Sequence, residues 1–557
     1  MHATSASFVD PRKVVQQAGI SAEGIVYRNL SVDALYQAAV QKGQATVLAN
    51  GALHQDTRPN FGRAAKSSFY VNDPSIRFGG RSLDELINWG DPARGQFDNL
   101  PIADAVFQKL KARVIAHLSK ARDLFVNDGF SGRTAATRLN IRVITDRAPG
   151  ALFAKHIFLR PSDAELAAFE INADNGWTIL HAPAVDADPE DGTNGNTFIL
   201  THLGERTTII GGTAYNGQIK KSIFCVQNFL LPLRGVLTMH AGASEGAGGD
   251  SALHAGLSGT GKTTLSNTGF PVADDQIIIE IDGPEHEVVS NMEGGQYAKT
   301  EKLRHDKEPE IYEAIRYGAV CENIVHDASG TPNYDDVSQT ANGRVGYPLE
   351  FVGSAKASGM SRAPKNITFL AADAYGVLPP VSRLSVEAGK FHFAAGFTSR
   401  MPGTELGVSE PKPVFSSFFG KPFMPLKPAF YMDLLAELVQ KHGTQIWLVN
   451  TGWLGPNVPG RGRVDILVSK AIINAVRDGT IDLSDDNFWF DPVFKLHVPK
   501  RVPGVDDRLL DARNFWSDAA GYRDAANQLA VIFQEAVGKM PHMPADVVAA
   551  GPAPLAS

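Results

Sequence analysis

The chain has 557 residues, with 53 Lys and Arg against 60 Asp and Glu, so its formal net charge is −7. At roughly 100–200 residues per domain this length favours two or three domains. A content of 43% hydrophobic and 20% charged residues excludes a chain that is disordered throughout, and the acidic balance argues against nucleic acid or an anionic membrane surface as a general partner.

The predicted elements mix strands with helices, which is typical of an α/β protein. In chain order, an amphipathic helix is predicted over 103–120 and short strands over 141–145, 156–159, 198–200 and 207–210. A helix over 218–231 follows, then strands over 236–240 and 252–255, a Gly-rich loop and a helix that begins at Lys262. The later predictions are strands over 277–281, 367–370 and 446–449, and helices over 430–441 and 465–477.

Cysteine content and hydrophobicity indicate where the protein works. Cys225 and Cys321 are too few for a disulfide framework or a cysteine-based zinc site, so we expect reduced thiols. The N-terminal segment lacks the apolar core of a signal peptide, and no run approaches the roughly 18 apolar residues of a membrane span. We therefore expect a cytoplasmic protein with domains at 1–235 and 236–540 and a flexible tail at 541–557.

A Gly-rich segment matches the phosphate-binding loop pattern G-x-x-x-x-G-K-[ST] at every position. Its glycines let backbone N–H groups curl around phosphate oxygens, and the helix that follows offers its positive N-terminus. Lys262 can reach the β- and γ-phosphates, and Thr263 can bind Mg²⁺. The predicted nucleotide-binding residues are Gly256, Leu257, Ser258, Gly259, Thr260, Gly261, Lys262, Thr263 and Thr264.

Two adjacent carboxylates, Asp274 and Asp275, follow the loop in the string PVADDQIIIE. A second acidic element after a phosphate loop commonly holds or orients the metal. The alternative is a solvated turn before the strand at 277–281.

Several further strings resemble motifs of ATP-dependent phosphoenolpyruvate carboxykinases and occur in that family's order. The resemblance covers residues from about 50 to 520 and includes the family's own version of the loop, GLSGTGKTTLS. The other matching strings are YNGQIKK at 215–221, MH at 239–240, EGGQYAKT at 293–300, EPEIY at 308–312, FLAADAYGVLPPVSRL at 369–384, GTELGVSEP at 403–411 and NTGW at 450–453.

This resemblance implies a two-domain α/β fold. A carboxykinase-specific N-terminal domain meets a C-terminal mononucleotide-binding domain that carries the P-loop, and the active site lies in the cleft. It implies the reaction of oxaloacetate with ATP to give phosphoenolpyruvate, CO₂ and ADP, which commits carbon to gluconeogenesis. The GTP-using branch has a cysteine in this loop and the present chain has none, so ATP is favoured. Oxaloacetate and ATP are then the small-molecule partners, and we expect a monomer.

The resemblance also assigns a metal site. Lys221, His240 and Asp275 correspond to the family's Mn²⁺ ligands, and a lysine can act as a ligand only as the neutral amine. Without the resemblance, Lys221 would be interpreted as a surface lysine and His240 as a core histidine. The residues expected to act in catalysis are Lys221, Lys262, Arg344, Asp274 and Ser258.

Substrate-binding residues follow from the same resemblance. Arg63 in GRAAK resembles the arginine of the family's G-R-S-P-K, where a planar guanidinium suits a carboxylate. Arg81 is a second candidate, but the Phe69-Tyr-Val strand after the first loop favours Arg63. Tyr215 and Lys221 are further substrate-side residues, and Arg344 in TANGRVGYP matches the arginine that reaches the γ-phosphate and substrate.

The remaining nucleotide-side assignments lie beside departures from the family pattern. Glu308 matches a nucleotide-side carboxylate, Arg463 and Val464 match the family's adenine-flanking Arg-Ile, and Ser469 matches a threonine of the family. A longer Pro-rich stretch stands before Arg463, and Gln276 and Ala241 replace family residues next to the metal motifs. Two alternatives therefore remain: a paralogous P-loop phosphotransferase with another small-acid acceptor or nucleotide, or a non-catalytic nucleotide-binding regulator.

Overall fold

The computed structural model describes residues 10–63, 66–257, 260, 269–400, 412–456, 463–540 and 543–555. The chain divides into two compact units, the first formed by Met1–Gln227 with Met292–Gly353 and the second by Asn228–Asn291 with Ser354–Ser557. The sequence prediction drew a single boundary at 235. The units differ from that prediction because Met292–Gly353 returns to the first of them.

The first unit contains an eight-stranded mixed sheet. Its strands, in spatial order, are Ile25–Arg28, Asp123–Ser131, Leu139–Thr145, Gly176–Ala182, Thr207–Gly211, Phe198–His202, Ser68–Val71 and Leu100–Ile102. The helix Asp104–Lys120 covers it with Phe107, Leu110, Val114 and Leu118, which are all buried in the core. Their spacing of three and four residues places them on one face of the helix, as the periodicity predicted.

A second sheet of the first unit joins segments that lie far apart in the sequence. Its five strands are, in spatial order, Gly295–Lys299, Arg344–Pro348, Val320–Glu322, Leu53–Gln55 and Thr46–Val47. The parallel pairing of Leu53–Gln55 with Val320–Glu322 is what brings Met292–Gly353 back to this unit.

The helices of the first unit complete it, together with a two-stranded ribbon formed by Arg77–Phe78 and Arg81–Ser82. The helices are Pro11–Gln16, Val32–Gln41, Leu83–Leu86, Asp104–Lys120, Ala148–Ile157, Asp163–Ala167, Gly217–Leu230 and Pro309–Ala314, of which Gly217–Leu230 continues past the boundary at Gln227. The predicted strand at 156–159 is wrong, because His156 and Ile157 end the helix Ala148–Ile157. Almost every residue of that helix is buried, so its sequence shows no amphipathic pattern that would separate it from a buried strand.

The second unit contains another eight-stranded mixed sheet. Its strands, in spatial order, are Phe270–Ala273, Ala241–Glu245, Ser251–Gly256, Pro364–Ala371, Gln445–Asn450, Val381–Leu384, Leu496–Pro499 and Phe488–Asp491. The helix Ile466–Arg477 packs Ile472, Ile473 and Val476 into a core with Leu370 and Trp447.

Smaller elements complete the second unit. A four-stranded sheet consists of Leu237–Met239, Ile277–Ile279, Val289–Asn291 and Met360–Ser361, and a ribbon pairs Phe397–Arg400 with Lys412–Phe415. The helices of this unit are Val386–Ala395, Pro428–His442, Ile466–Arg477, Ala519–Gly538 and Ala545–Ala550. The other predicted strands and helices agree with these elements to within a few residues, and the helix predicted from Lys262 lies outside the described residues.

The C-terminal segment differs from the predicted flexible tail. Over 543–555 it contains the helix Ala545–Ala550, whose Val547 is buried, and the Ala553 N–H donates to the Val493 carbonyl at 2.8 Å. These contacts fix the segment because they bury apolar surface and satisfy its backbone.

In the described part of the chain, none of the helices has the length and apolar character needed to cross a membrane. Neither Cys225 nor Cys321 forms a disulfide bond within the part of the chain that the structure describes.

Candidate active site

The phosphate-loop sequence begins at the end of an inner strand of the second unit's large sheet. The strand Ser251–Gly256 pairs with Ala241–Glu245 on one side and Pro364–Ala371 on the other. A Cβ on Gly256 would lie 2.6 Å from Thr260 Oγ1 and 2.9 Å from Leu370 Cβ, so this position has no room for a side chain. Gly256 therefore allows the chain to turn closely against the neighbouring strand.

Leu257 and Thr260 are the further loop residues that the structure describes. The Thr260 hydroxyl donates to the Leu257 carbonyl at 2.7 Å, and the carbonyl of Thr260 accepts from Thr451 Oγ1 at 3.0 Å. The loop start is therefore tied to the segment after the strand Gln445–Asn450. The predicted phosphate-binding residues Ser258, Gly259, Gly261, Lys262, Thr263 and Thr264 lie outside the described residues.

Within the second unit, His240 and Asp275 form a close pair. His240 Nε2 lies 2.9 Å from Asp275 Oδ1, and both side chains are largely but not fully buried. His240 Nδ1 lies 2.6 Å from the Phe419 carbonyl oxygen, which can only accept, so Nδ1 carries the proton. This contact directs Nε2 toward the carboxylate, which is the arrangement in which a histidine serves as a metal ligand.

The backbone of Gly420 packs directly against the His240 side chain. A Cβ at Gly420 would lie 2.9 Å from His240 Cβ and 3.2 Å from Cγ. The backbone next to Phe419 thus approaches the imidazole more closely than any side chain would allow. Asp274 and Asp275 follow the strand Phe270–Ala273 directly, a strand that was not predicted from the sequence.

Lys221 belongs to the first unit, on the helix Gly217–Leu230. Its Nζ lies 5.0 Å from the centre of the Phe224 ring, whereas the neighbouring Lys220 forms a buried ion pair of 2.9 Å with Glu293. Glu293 thus binds Lys220, the first of the two adjacent lysines, a role that the sequence did not reveal. Lys221 therefore lies in a different unit from His240 and Asp275, and the metal site formed by these three residues stays a prediction.

Cys225 stands one helical turn after Lys221. Burial raises the pKa of its thiol, while Arg63, the hydroxyl of Tyr70 and Lys221 act in the opposite direction. The protonated thiol is therefore the favoured form at this position.

Two predicted substrate-side residues, Tyr215 and Arg344, contact Asn342, which also belongs to the first unit. Arg344 Nε donates to Asn342 Oδ1 at 2.9 Å, and Asn342 Nδ2 donates to the Phe61 carbonyl at 2.7 Å and lies 3.4 Å from the Tyr215 hydroxyl. Phe61 is two residues before Arg63, so one amide connects the Arg63 loop, Tyr215 and Arg344. Sequence reasoning missed Asn342, although it lies in the TANGR string that identified Arg344.

The two candidate arginines for substrate binding have different surroundings. Arg63 is mostly buried and its Nη2 lies 3.3 Å from Asp98 Oδ1. Arg81 is exposed and belongs to the two-stranded ribbon with Arg77–Phe78. Arg63 thus follows by two residues the Phe61 carbonyl that Asn342 holds, and the choice between the two arginines stays a prediction.

The predicted adenine-side residues are held by Thr451 and Gly452 in the second unit. Arg463 Nε donates to the Thr451 carbonyl and Nη2 to the Thr451 hydroxyl, both at 2.9 Å, and the Val464 N–H donates to the Gly452 carbonyl at 2.7 Å. Burial lowers the pKa of Arg463. Since Thr451 also donates to Thr260, it links the start of the phosphate loop to Arg463, a connection the sequence did not reveal.

The last two predicted nucleotide-side residues lie on helices. Ser469 is buried in the helix Ile466–Arg477 of the second unit, and its N–H donates to the Asp465 carbonyl at 3.0 Å. Glu308 is the N-cap of the short helix Pro309–Ala314 in the first unit.

One other cluster among the described residues has the composition of a metal site. Asp104, His202 and Glu205 place ligand atoms within 4.8 Å of one another. However, His202 Nδ1 accepts the Glu205 N–H at 3.0 Å, so a neutral ring carries its proton on Nε2, which faces Asp104 at 3.2 Å. That nitrogen donates a hydrogen bond and offers no lone pair, so the cluster is not a candidate metal centre.

A mixed α/β chain with a phosphate-loop sequence and a histidine–carboxylate pair is typical of nucleotide-dependent enzymes that use a metal. Residues 24–508 match the family model described as phosphoenolpyruvate carboxykinase. The chain therefore belongs to the phosphoenolpyruvate carboxykinase family, as its motifs indicated.

Curated relatives match along almost the whole chain. It is 39% identical to phosphoenolpyruvate carboxykinase (ATP) 1 of Moorella thermoacetica over 542 residues, which cover 96% of this chain and 98% of the relative. The phosphoenolpyruvate carboxykinase (ATP) of Caldanaerobacter subterraneus subsp. tengcongensis is 40% identical, covering 95% of this chain and 97% of the relative. That of Mesorhizobium japonicum is also 40% identical, covering 98% and 97%.

Proposed function

We propose that this protein is an ATP-dependent phosphoenolpyruvate carboxykinase that converts oxaloacetate and ATP into phosphoenolpyruvate, CO₂ and ADP. The observation that carries the proposal is the match to relatives of that name over 95% or more of the chain. Supporting it, the chain keeps the phosphate-loop sequence, the His240–Asp275 pair and the Arg344 cluster together. The loop contains no cysteine, which favours ATP over GTP.

The reaction requires that developing negative charge be held at two places. Loss of CO₂ from oxaloacetate leaves an enolate, whose oxygen then attacks the γ-phosphorus of ATP while the bond to the β-phosphate oxygen breaks. Fixed cations stabilise such charge more effectively than mobile water does. We assign the stabilisation of this charge to Arg344, whose Nε donates to Asn342 Oδ1 at 2.9 Å, and to Lys221 on the same substrate side.

Arg63 and Tyr215 would orient the substrate. A guanidinium presents two parallel N–H groups to a carboxylate, which fixes both the position and the plane of the acid. Asn342 holds Phe61, close before Arg63, and contacts the Tyr215 hydroxyl. The same amide would therefore set the substrate loop relative to Arg344.

His240 and Asp275 suit a divalent cation, because an imidazole nitrogen and a carboxylate oxygen face one another at 2.9 Å and the hydrogen bond to the Phe419 carbonyl orients the ring. We assign Mn²⁺ to these two residues with Lys221, and the Mg²⁺ of ATP to Thr263. A bound divalent ion would supply positive charge to the enolate and phosphate oxygens.

For the nucleotide we assign Gly256, Leu257 and Thr260 with the loop residues Ser258, Gly259, Gly261, Lys262 and Thr264 to the phosphates. Arg463 and Val464 would flank the adenine, and Ser469 and Glu308 would bind on the nucleotide side. Asp274 and Ser258 complete the set assigned to catalysis. A monomer in the cytoplasm remains our expectation.

One assay tests the proposal. Purified protein is incubated with oxaloacetate and ATP, GTP or pyrophosphate, in Mg²⁺ with and without Mn²⁺, and phosphoenolpyruvate is measured. We expect phosphoenolpyruvate with ATP. Formation with GTP or pyrophosphate alone would correct the nucleotide, phosphorylation of another small acid would indicate a paralogous phosphotransferase, and ATP binding without turnover would indicate a regulator.

Arg63 is expected to bind the oxaloacetate carboxylate, so Arg63→Gln should lower kcat/KM for oxaloacetate by about 10²-fold, a loss typical of a misplaced substrate. Arg63→Lys should not restore it, because lysine keeps the charge but loses the planar fork. The KM for ATP should stay unchanged. The matched control is Arg81→Gln, and a large drop only in that variant would show that Arg81 is the substrate arginine.

A further inference from the structure

The five-stranded sheet of the first unit places three polar residues in one row. Gln55 is in register with Glu322 on the neighbouring parallel strand, and Glu322 is in register with Arg344 on the next, antiparallel strand. Side chains directly opposite each other on adjacent strands point to the same face. Glu322 and Arg344 therefore share one face of the sheet.

Glu322 is fully buried and accepts hydrogen bonds from three neutral donors. Its Oε1 accepts from Gln55 Nε2 at 2.9 Å and from the Asn216 N–H at 3.0 Å, and its Oε2 accepts from the Tyr297 hydroxyl in a short contact. As a carboxylate, Glu322 accepts the two N–H groups at Oε1 and the Tyr297 hydroxyl at Oε2. In an amide or a protonated acid the added hydrogen would lie on the Oε2 side, and the Tyr297 hydroxyl would have to accept there instead of donate. Burial raises the pKa of Glu322, while its hydrogen bonds and Arg344 act in the opposite direction. Tyr297 donates to this position only while Glu322 is a carboxylate.

Two of these donors lead to residues of the proposed substrate side. Tyr297 packs its ring edge-on against Phe153 at 5.0 Å, and the Arg344 guanidinium lies 5.4 Å from the Tyr297 ring centre. That distance is within the range of a cation–π attraction, and a phenol that donates to a carboxylate has a more electron-rich ring. The Asn216 N–H belongs to the residue directly after Tyr215.

We propose that Glu322 is a positioning residue for substrate binding, which fixes Arg344 through Tyr297 and Tyr215 through the Asn216 backbone. Glu322 touches neither substrate nor reacting atoms in this role; it acts by holding the two residues that do. The inference rests on the proposed function, because that function makes Arg344 and Tyr215 substrate-side residues.

The test compares full-length Glu322→Gln and Tyr297→Phe with the parent protein. The first substitution keeps the side-chain volume but places an amide N–H group opposite the Tyr297 hydroxyl, which can then no longer donate there. The second keeps the ring beside Arg344 but removes the hydroxyl. Tyr347→Phe is the matched control: Tyr347 lies three residues after Arg344 on the same strand, is fully buried, and donates to Gln296 Oε1 at 2.8 Å. An odd separation along a strand places it on the opposite face of the sheet.

Two readouts are measured. One is the KM for oxaloacetate and for ATP together with kcat, and the other is the Kd for oxalate, a planar dianion, by calorimetry. We expect Glu322→Gln to raise the oxaloacetate KM and the oxalate Kd by about 10-fold, because misplacement of a binding group carries losses of this order. Tyr297→Phe should change both in the same direction by a smaller factor. The KM for ATP should be unchanged in both variants, and Tyr347→Phe should change none of these quantities.

The outcomes separate the inference from the proposed function. Unchanged oxaloacetate KM and oxalate Kd in both variants would overturn the positioning role, and so would a loss of equal size in Tyr347→Phe. If Glu322→Gln does not fold, Tyr297→Phe decides by the same criteria. A parent protein that binds oxalate but makes no phosphoenolpyruvate would refute the proposed function, while the oxalate Kd values would still decide the role of Glu322.

Discussion

Replacement of Lys262 with alanine is expected to abolish phosphoryl transfer and leave the fold intact. The lysine of a phosphate loop neutralises charge on the group in transfer, and loss of a cation in that position lowers kcat by about 10³-fold or more. A charged side chain contributes little to a hydrophobic core, so its loss should not change the melting temperature. The measurement is kcat for phosphoenolpyruvate formation, with the Tm recorded alongside.

Lys365→Ala is the matched control for this experiment. Lys365 also belongs to the second unit, but its side chain is 63% exposed and its ion pair with Asp250 is of the surface type that contributes little. We expect no change in kcat. Unaltered turnover in Lys262→Ala would show that the loop is not catalytic.

Removal of either member of the His240–Asp275 pair is expected to weaken Mn²⁺ binding by about 10²-fold. Loss of a group that only orients a metal ligand already lowers metal affinity by about 10–100-fold, and loss of the ligand itself should cost at least as much. The variants are His240→Ala and Asp275→Asn. Mn²⁺ binding is measured by electron paramagnetic resonance without substrates, so the result does not depend on turnover. Mn²⁺ activation of the reaction should be lost in parallel.

His442→Ala provides the matched histidine control. Like His240, His442 belongs to the second unit and contacts a backbone carbonyl through a ring nitrogen: its Nε2 lies 2.9 Å from the Ile281 carbonyl oxygen. Gly420→Ala is a graded variant, because its new Cβ would press on the His240 ring without removing the ligand. We expect no effect from the first and partial weakening from the second. Normal Mn²⁺ binding in both His240→Ala and Asp275→Asn would place the metal elsewhere.

Elements with a clear amphipathic or β-branched pattern could be predicted from the sequence, and the helix Asp104–Lys120 is the best case. The helix Ala148–Ile157 was missed because burial on all sides removes the polar positions that define a helical period. The assignment of Met292–Gly353 to the first unit could not be predicted either. It depends on the pairing of Leu53–Gln55 with Val320–Glu322, which no local pattern encodes.

The candidate site, like the fold, could be predicted only in part from the sequence. Residues inside recognisable motifs, such as His240, Asp275 and Arg344, could be named from the sequence. Asn342, Thr451 and Glu322 could not be given a role, because what they do depends on which backbone and side-chain groups lie around them. Their partners come from chain segments as distant as Phe61 and Thr260.

The return of Met292–Gly353 to the first unit has a consequence for biosynthesis. On the ribosome, the strand Leu53–Gln55 emerges long before its partner Val320–Glu322, and the segment Asn228–Asn291 of the second unit is made in between. The five-stranded sheet can close only after Arg344–Pro348 has left the exit tunnel. The first unit therefore cannot finish folding before part of the second unit has been synthesised. A nascent chain stalled at Gln227 would expose an unpaired strand edge, to which chaperones can bind.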